Sequence, residues 1–87
     1  MKYIVAWTDN AMSDFMEIWS SSSDRATVTA AAREVDQILE REPLHERHEV
    51  IRGFGTVIHS PLGVDFWVDD TTRRVFVTAA WPIREGE

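Results

Sequence analysis

The sequence predicts an α+β domain in which two helices pack on one face of a small antiparallel sheet. Two observations predict this class. Apolar residues recur with the helical period between Asp9 and Pro43, and from Val50 onward they follow the alternating period of strands. A short apolar strand precedes both helices, so the order is β-α-α-β-β-β. Hairpin-connected strands that follow paired helices are typical of α+β domains, in which the helices leave one sheet face uncovered.

Chain length and composition indicate one globular domain, residues 1–87. A chain of 87 residues holds a single hydrophobic core. Because there is no cysteine, disulfides and thiolate metal sites are excluded. The N-terminal apolar run is too short for a signal peptide or a membrane span. We therefore expect a cytoplasmic protein without a membrane partner.

The formal net charge of −6 disfavours nonspecific binding to nucleic acid, which depends on lysine and arginine neutralising phosphates. The acidic excess lies mainly in residues 1–50. The C-terminal half therefore remains able to form a local basic patch. Overall, the charge favours a basic or apolar partner.

Both helices have a capping residue before an apolar stripe. Thr8 or Asp9 begins the first helix, and Ser23 or Asp24 begins the second, which Pro43 ends. The apolar spacing i, i+3, i+4, i+7 predicts a buried stripe in each. The members of the first stripe are Met12, Phe15, Met16 and Trp19, and those of the second are Val28, Ala31, Ala32, Val35, Ile38 and Leu39.

Three strands follow, in the stretches "VIRGFGTVIH", "VDFWV" and "RVFVTAAW". The glycines of the first stretch indicate a bulge or bend, and turns are expected at Ser60–Gly63 and Asp69–Thr72. In the second stretch Val64, Phe66 and Val68 share one face, so Trp67 lies on the other. Phe76 likewise lies opposite Val75. The second sheet face is therefore predicted to be crowded by Trp67 and Phe76.

Several short patterns give no metal or cofactor site. Gly53-Phe54-Gly55 lacks the third glycine and the following helix of a dinucleotide motif and is interpreted as a strand irregularity. "HERHE", residues 45–49, would need histidine at Glu49 to bind zinc and is interpreted as a solvated connection. Asp69-Asp70 fits a turn better than a cation site. His59 has no paired serine or carboxylate that would make it a general base.

The remaining candidates are basic and aromatic residues of the C-terminal half. One of Arg73 and Arg74 is expected to pair with Asp69 or Asp70 across the turn, and the alternative is a contact with phosphate. Trp81 is able to stack on a nucleobase, at about 1–3 kcal/mol. The residues expected to bind a partner or a nucleic acid are Arg52, Trp67, Arg73, Arg74, Phe76 and Trp81.

The element order and the stretch "PLGVDFWVDDTTRRVFVTAAWPIRE" together resemble the RelE/ParE toxin superfamily of bacterial type II toxin–antitoxin systems. Members commonly have an apolar strand, a short acidic turn, a Val-x-Val strand and then Arg-Glu. Here the corresponding segments are Val64–Val68, Asp69–Arg73, Val75–Val77 and Arg84-Glu85. The helix Arg33–Pro43 looks like the second helix of the family, which typically ends in proline.

The resemblance implies a possible catalytic role for Arg84 alone. The ribosome-dependent RNases of this superfamily cleave mRNA with several basic groups, and Arg84 matches their C-terminal arginine. Where the family has an arginine at the start of the third strand, this chain has Gly63, and its second-strand basic positions align with Phe54, Thr56 and Ile58. The tyrosine that follows in the family has no counterpart here. Losing one group that stabilises the transition state costs about 3–4 kcal/mol, so we expect no RNase activity.

Two functional hypotheses follow from the resemblance. The first is the toxin of a toxin–antitoxin (plasmid stabilisation) system that acts by binding a target, since ParE-type members poison DNA gyrase rather than cut RNA. Its partners are an antitoxin and gyrase, with the ribosome as the alternative target. The second is a non-toxic interaction module that has kept the fold. Its motivation is the acidic surface together with Trp67, Phe76 and Trp81, which are expected to lie near one another on the C-terminal sheet. An apolar sheet face in so small a protein calls for a peptide or a second copy of the chain.

Overall fold

A computed structural model describes residues 2–44 and 50–83. The element order β-α-α-β-β-β is confirmed. The elements are β1 Ile4–Trp7, α1 Asp9–Ser21, α2 Arg25–Arg41, β2 Phe54–His59, β3 Leu62–Asp69 and β4 Arg74–Pro82.

The four strands form one sheet in the order β1-β4-β3-β2. The α+β class is confirmed, and β2, β3 and β4 are antiparallel neighbours as expected. The sheet as a whole is mixed, because β1 pairs in parallel with β4. α1 and α2 lead the chain away from β1, and the β3–β4 hairpin then brings it back. β4 therefore lies next to β1 and runs in the same direction.

Both helices pack on one face of the sheet and close a single core. α2 contributes the residues that its spacing predicts: Val28, Ala31, Val35 and Leu39 are buried. The Asp24 side chain accepts a hydrogen bond from the Thr27 amide, which confirms the predicted cap. The helix ends at Arg41, before Pro43. From the sheet, the core receives the alternating residues Val57, Leu62, Val64, Phe66, Val68, Val75 and Val77.

The apolar stripe predicted for α1 is wrong in part. Met12 and Met16 are 46% and 50% exposed. Ala11 is instead buried, while Phe15 and Ile18 pack against the core. The helix is therefore rotated relative to the orientation that its most apolar residues predict.

Hydrogen bonds to β4 explain this rotation of α1. β1 pairs with β4 only as far as Val77, which leaves the next residues of β4 without a neighbouring strand on that side. The Asn10 side-chain amide donates to the Thr78 carbonyl at 3.0 Å. The Asp14 carboxylate accepts from the Ala80 amide at 3.1 Å. Asn10 and Asp14 of α1 thus lie toward β4 and satisfy backbone groups that have no strand partner on that side.

The start of β2 also differs from the sequence prediction. Ile51 and Phe54 exchange backbone hydrogen bonds of 2.8 and 3.0 Å around a two-residue turn. Arg52 and Gly53 in this turn have φ angles of 54° and 85°. Positive φ at both central residues is the geometry of a tight hairpin turn. The strand therefore begins at Phe54, four residues later than the alternation alone indicates.

No helix in the described part of the chain is long and apolar enough to cross a lipid bilayer. Within residues 2–44 and 50–83, no group of three or more histidine and acidic side chains is placed to hold a metal ion.

Candidate functional site

The sheet face opposite the two helices is the candidate site, and we call it the open face. Along β3 the buried residues Val64, Phe66 and Val68 alternate with partly exposed Asp65, Trp67 and Asp69. Since successive side chains of a strand point to opposite faces, the second set lies on the open face.

Three aromatic rings cross the open face in one row. The pairing register places Phe54 of β2 opposite Trp67 of β3, and Trp67 opposite Phe76 of β4. The Trp67 and Phe76 rings are stacked, with centroids 5.7 Å apart and an interplanar angle of 21°. The Phe54 and Trp67 centroids are 6.3 Å apart. We call Phe54, Trp67 and Phe76 the aromatic row. Phe54 is its most accessible member, at 60% exposure.

The turn before β2 packs against one side of the aromatic row. A Cβ atom on Gly53 would lie 3.1 Å from the indole nitrogen of Trp67. The Gly53 carbonyl also accepts a hydrogen bond from the Val68 amide at 2.8 Å. Glycine is needed here both for this close approach and for the positive φ angle. The turn therefore helps to hold the indole of Trp67 in place.

Trp81 lies apart from the aromatic row. It is opposite Gly63, four residues along β3 from Trp67. A Cβ atom on Gly63 would lie 2.6 to 2.8 Å from three atoms of the Trp81 indole. The indole thus occupies the space that a side chain at position 63 would need. The structure brings Trp67 and Phe76 together, as predicted. The expectation that Trp81 lies near them is wrong, because Trp81 is opposite Gly63 at the other end of the face.

Two carboxylates flank Trp67 on β3. The Thr56 hydroxyl donates to Oδ1 of Asp65 at 2.9 Å. Oδ1 of Asp69 accepts from the amides of Thr71 and Thr72, at 3.2 and 3.3 Å, and so caps the turn between β3 and β4. A depression of about 400 Å³ lies between Phe54 and Asp65.

The predicted arginines lie at one end of the sheet. Arg52 is in the turn before β2, and Arg74 stands opposite Asp69 in the β3–β4 register. The ion pair expected across the turn stays a prediction. The Arg73 guanidinium lies over the ring of Tyr3, 5.0 Å from its centroid. The Tyr3 hydroxyl donates to Asp70, and this hydrogen bond raises the pKa of Tyr3. Arg73 is thereby engaged at the N-terminus of β1.

Arg84, the predicted catalytic residue, lies outside the described residues, as do Arg47 and the whole "HERHE" segment. Ile83 is described, and its amide donates to the Pro61 carbonyl at 2.7 Å. It follows Pro82, at the end of β4 opposite to the end that Arg73 and Arg74 occupy.

Two features of this region escape sequence reasoning. The aromatic row includes Phe54, whose alternation with Gly55 and Val57 places it on the open face, although only the strand register shows that it meets Trp67. Below the sheet, the Trp7 indole donates to Asp36 at 2.7 Å. Burial raises the pKa of Asp36, while the hydrogen bond from Trp7 acts in the opposite direction.

Comparison with solved structures identifies the fold. The RelBE2 toxin–antitoxin complex of Mycobacterium tuberculosis contains a chain that matches with a TM-score of 0.75 and 21% identity, over 97% of this chain and 100% of that one. This chain has the RelE/ParE fold. The isolated E. coli RelE toxin matches over 98% of this chain and 88% of its own, with a TM-score of 0.66 and 16% identity. A chain of the P. aeruginosa ParDE system matches over 94% and 97%, with a TM-score of 0.59 and 14% identity. No protein-family model and no curated protein matches the sequence.

On this RelE/ParE fold, the centre of the open face carries aromatic rings and a carboxylate, and Arg74 lies on the same face at the end nearest Asp69. In the part of the open face that lies between Arg74 and Trp81, the described residues include aromatic rings, Thr56 and Asp65. None of the described residues in that part is a lysine or an arginine. A carboxylate repels a phosphodiester and raises the energy of the extra negative charge that develops as it is cleaved. Exposed rings, in contrast, bind through burial of apolar area and through stacking.

Proposed function

We propose that this chain is the toxin of a type II toxin–antitoxin pair, and that it acts by binding a target protein rather than by cleaving mRNA. The RelE/ParE fold, matched over nearly the whole chain, supports the toxin assignment. The solved structures with this fold include the toxin–antitoxin complexes RelBE2, RelBE and ParDE. An antitoxin is therefore the first partner to seek, and DNA gyrase is the target that the ParE-type resemblance favours.

The observation that carries the binding mechanism is the make-up of the open face. Its centre holds Phe54, Trp67 and Phe76, with Asp65 beside them. Several cations acting together are needed to stabilise a cleaving phosphodiester, and each one removed costs about 3–4 kcal/mol of that stabilisation. Arg84 alone does not compensate for the loss of several groups.

Two experiments test the proposal. Induction of the chain alone in bacteria is expected to arrest growth, and co-expression of a small gene adjacent to its own is expected to restore it. Purified protein added to translating ribosomes is expected to leave mRNA intact. Cleavage of mRNA that disappears in the Arg84→Ala variant would establish catalysis and reject the binding mechanism.

The second candidate is a non-toxic interaction module, which the net charge of −6 and the exposed aromatic row favour. Unimpeded growth on induction, with no small gene adjacent, would select this candidate. Light scattering would then separate a homodimer from a monomer that binds a different protein.

A further inference from the structure

We propose that the open face binds an extended, arginine-bearing segment of a partner protein, with a guanidinium group stacked on the exposed ring of the aromatic row and paired with Asp65. The inference rests on the proposed function in that the partner is a protein. It adds the chemistry of the segment that the face recognises.

The spacing of the groups on β3 carries the first step. Asp65, Trp67 and Asp69 alternate along one strand and lie on one face. Residues two apart in a strand are about 7 Å apart along its axis. An extended partner segment repeats its side chains at the same interval. Alternate side chains of the segment would therefore meet Asp65, then Trp67, and then the end of the face where Arg74 stands opposite Asp69. The arginine of the segment is expected at Asp65, because Arg74 repels a second guanidinium at Asp69.

The chemistry of these groups favours arginine. A guanidinium is planar and weakly hydrated, so it stacks on an aromatic face and donates paired hydrogen bonds to a carboxylate. The hydrogen bonds from Thr56, Thr71 and Thr72 use Oδ1 of the two aspartates. Within the described residues, no hydrogen bond is made to Oδ2 of Asp65 or Asp69. Asp65 therefore retains an acceptor for a ligand, whereas Asp69 stands opposite Arg74 in the β3–β4 register.

A concave site lies beside the Asp65 acceptor. The depression of about 400 Å³ is lined by Phe54, Thr56, Asp65 and Thr78. It combines the most exposed ring of the aromatic row with a carboxylate and two hydroxyl-bearing residues. Such a mixed lining suits a side chain that has an apolar stem and a charged, hydrogen-bonding end, as arginine does.

Charge separates this occupant from the alternatives. RNA would bring phosphates against Asp65 and against a chain whose net charge is −6. A second copy that placed its own Asp65 against this Asp65 would oppose like charges. A wholly apolar segment would desolvate the Asp65 carboxylate without pairing it, which is unfavourable. A segment with an arginine next to apolar residues satisfies both the exposed ring and the carboxylate.

The test is fluorescence anisotropy with a labelled peptide in which arginine and leucine alternate. Three variants are compared with the native chain. Asp65→Asn keeps the acceptor for Thr56 and removes one charge, and we expect about a two- to fivefold weaker affinity. Trp67→Ala removes the central ring, and we expect about a tenfold loss or more. Glu34→Gln removes one charge from an exposed position on α2 and is expected to leave the affinity unchanged. Circular dichroism checks that each variant is folded.

Two control ligands complete the test: a peptide in which glutamate replaces arginine, and oligouridine. Weak or absent binding of both, with binding of the arginine peptide that falls as salt is added, supports the inference. Equal binding of the glutamate peptide, preferential binding of oligouridine, self-association that Trp67→Ala abolishes, or equal affinities for Asp65→Asn and Glu34→Gln would each overturn it. Growth arrest without peptide binding would reject only this inference, whereas peptide binding without growth arrest would reject only the toxin assignment.

Discussion

Gly63 determines where Trp81 lies, because the indole crosses the backbone at that position. A Cβ atom there would come within 2.6 Å of the ring. The same glycine stands where the RelE/ParE resemblance places an arginine. Glycine at this position therefore leaves the face without that positive charge and leaves room for the Trp81 indole. A single position thus changes both the charge and the shape of this end of the open face.

Substitution Gly63→Ala tests this contact. The added methyl group must displace the Trp81 indole, and we expect the free energy of unfolding to fall by about 1–3 kcal/mol. The same substitution in a Trp81→Ala background should cost much less, since the ring that it strikes is gone. Denaturant titration of the four proteins measures the coupling, and equal costs in both backgrounds would show that the two residues do not clash.

Asp36 makes the stability of the folded protein depend on pH. Because burial raises its pKa above the ordinary value of 3.8, the folded state holds the proton more tightly than the unfolded state. The stabilisation that protonated Asp36 contributes is therefore fully present below pH 3.8 and is lost as the pH rises through the raised pKa. Asp36→Asn keeps an acceptor for the Trp7 indole. We expect it to raise the melting temperature at neutral pH and to give no gain in acid.

Melting curves across the acid-to-neutral range test this effect, with Glu34→Gln as the control for the loss of one exposed charge. An Asp36→Asn variant that is less stable than the native chain at neutral pH would contradict the account.

Among the elements, the turn that begins β2 has an unfavourable residue at its first central position. Arg52 adopts a φ of 54°, and non-glycine residues resist this region, asparagine least of all. We expect Arg52→Asn to stabilise the protein by about 1 kcal/mol. Arg52→Lys keeps both the charge and the backbone cost and should leave stability unchanged. Chemical denaturation of both variants checks this, and equal effects would assign the change to the loss of the arginine side chain rather than to backbone conformation.

The two helices show how far local sequence determines an element. α2 is predicted with its cap, buried face and end, because Asp24, the apolar spacing and Pro43 all agree. α1 is predicted in position but not in rotation. Its inward side is set by Asn10 and Asp14, which complete the hydrogen bonding of β4. That requirement comes from β4, which is distant in sequence, so the spacing of apolar residues within α1 does not indicate it.

The strands show the same limit. Alternation identifies β2, β3 and β4 and places Trp67 and Phe76 on one face. It does not specify that β1 lies parallel to β4, nor which residues stand opposite one another. The aromatic row depends on that register, which is why Phe54 is absent from the residues predicted for binding.

At the scale of the whole molecule, the open face of this RelE/ParE fold differs from the cationic face that the resemblance to the RNases implies. The fold follows from element order and apolar pattern, both of which the sequence displays. The chemistry of the open face depends on a few outward positions, and changes there leave the core unaltered. The binding mechanism proposed above rests on those positions.

Growth after induction of three matched proteins tests this central claim most directly. The native chain and Arg84→Ala are expected to arrest growth equally, because binding does not depend on that guanidinium. Trp67→Ala, expressed to the same level, is expected to permit growth, because the aromatic row is broken. If Arg84→Ala restores growth while Trp67→Ala remains toxic, the protein acts through the terminal arginine and the binding account is wrong.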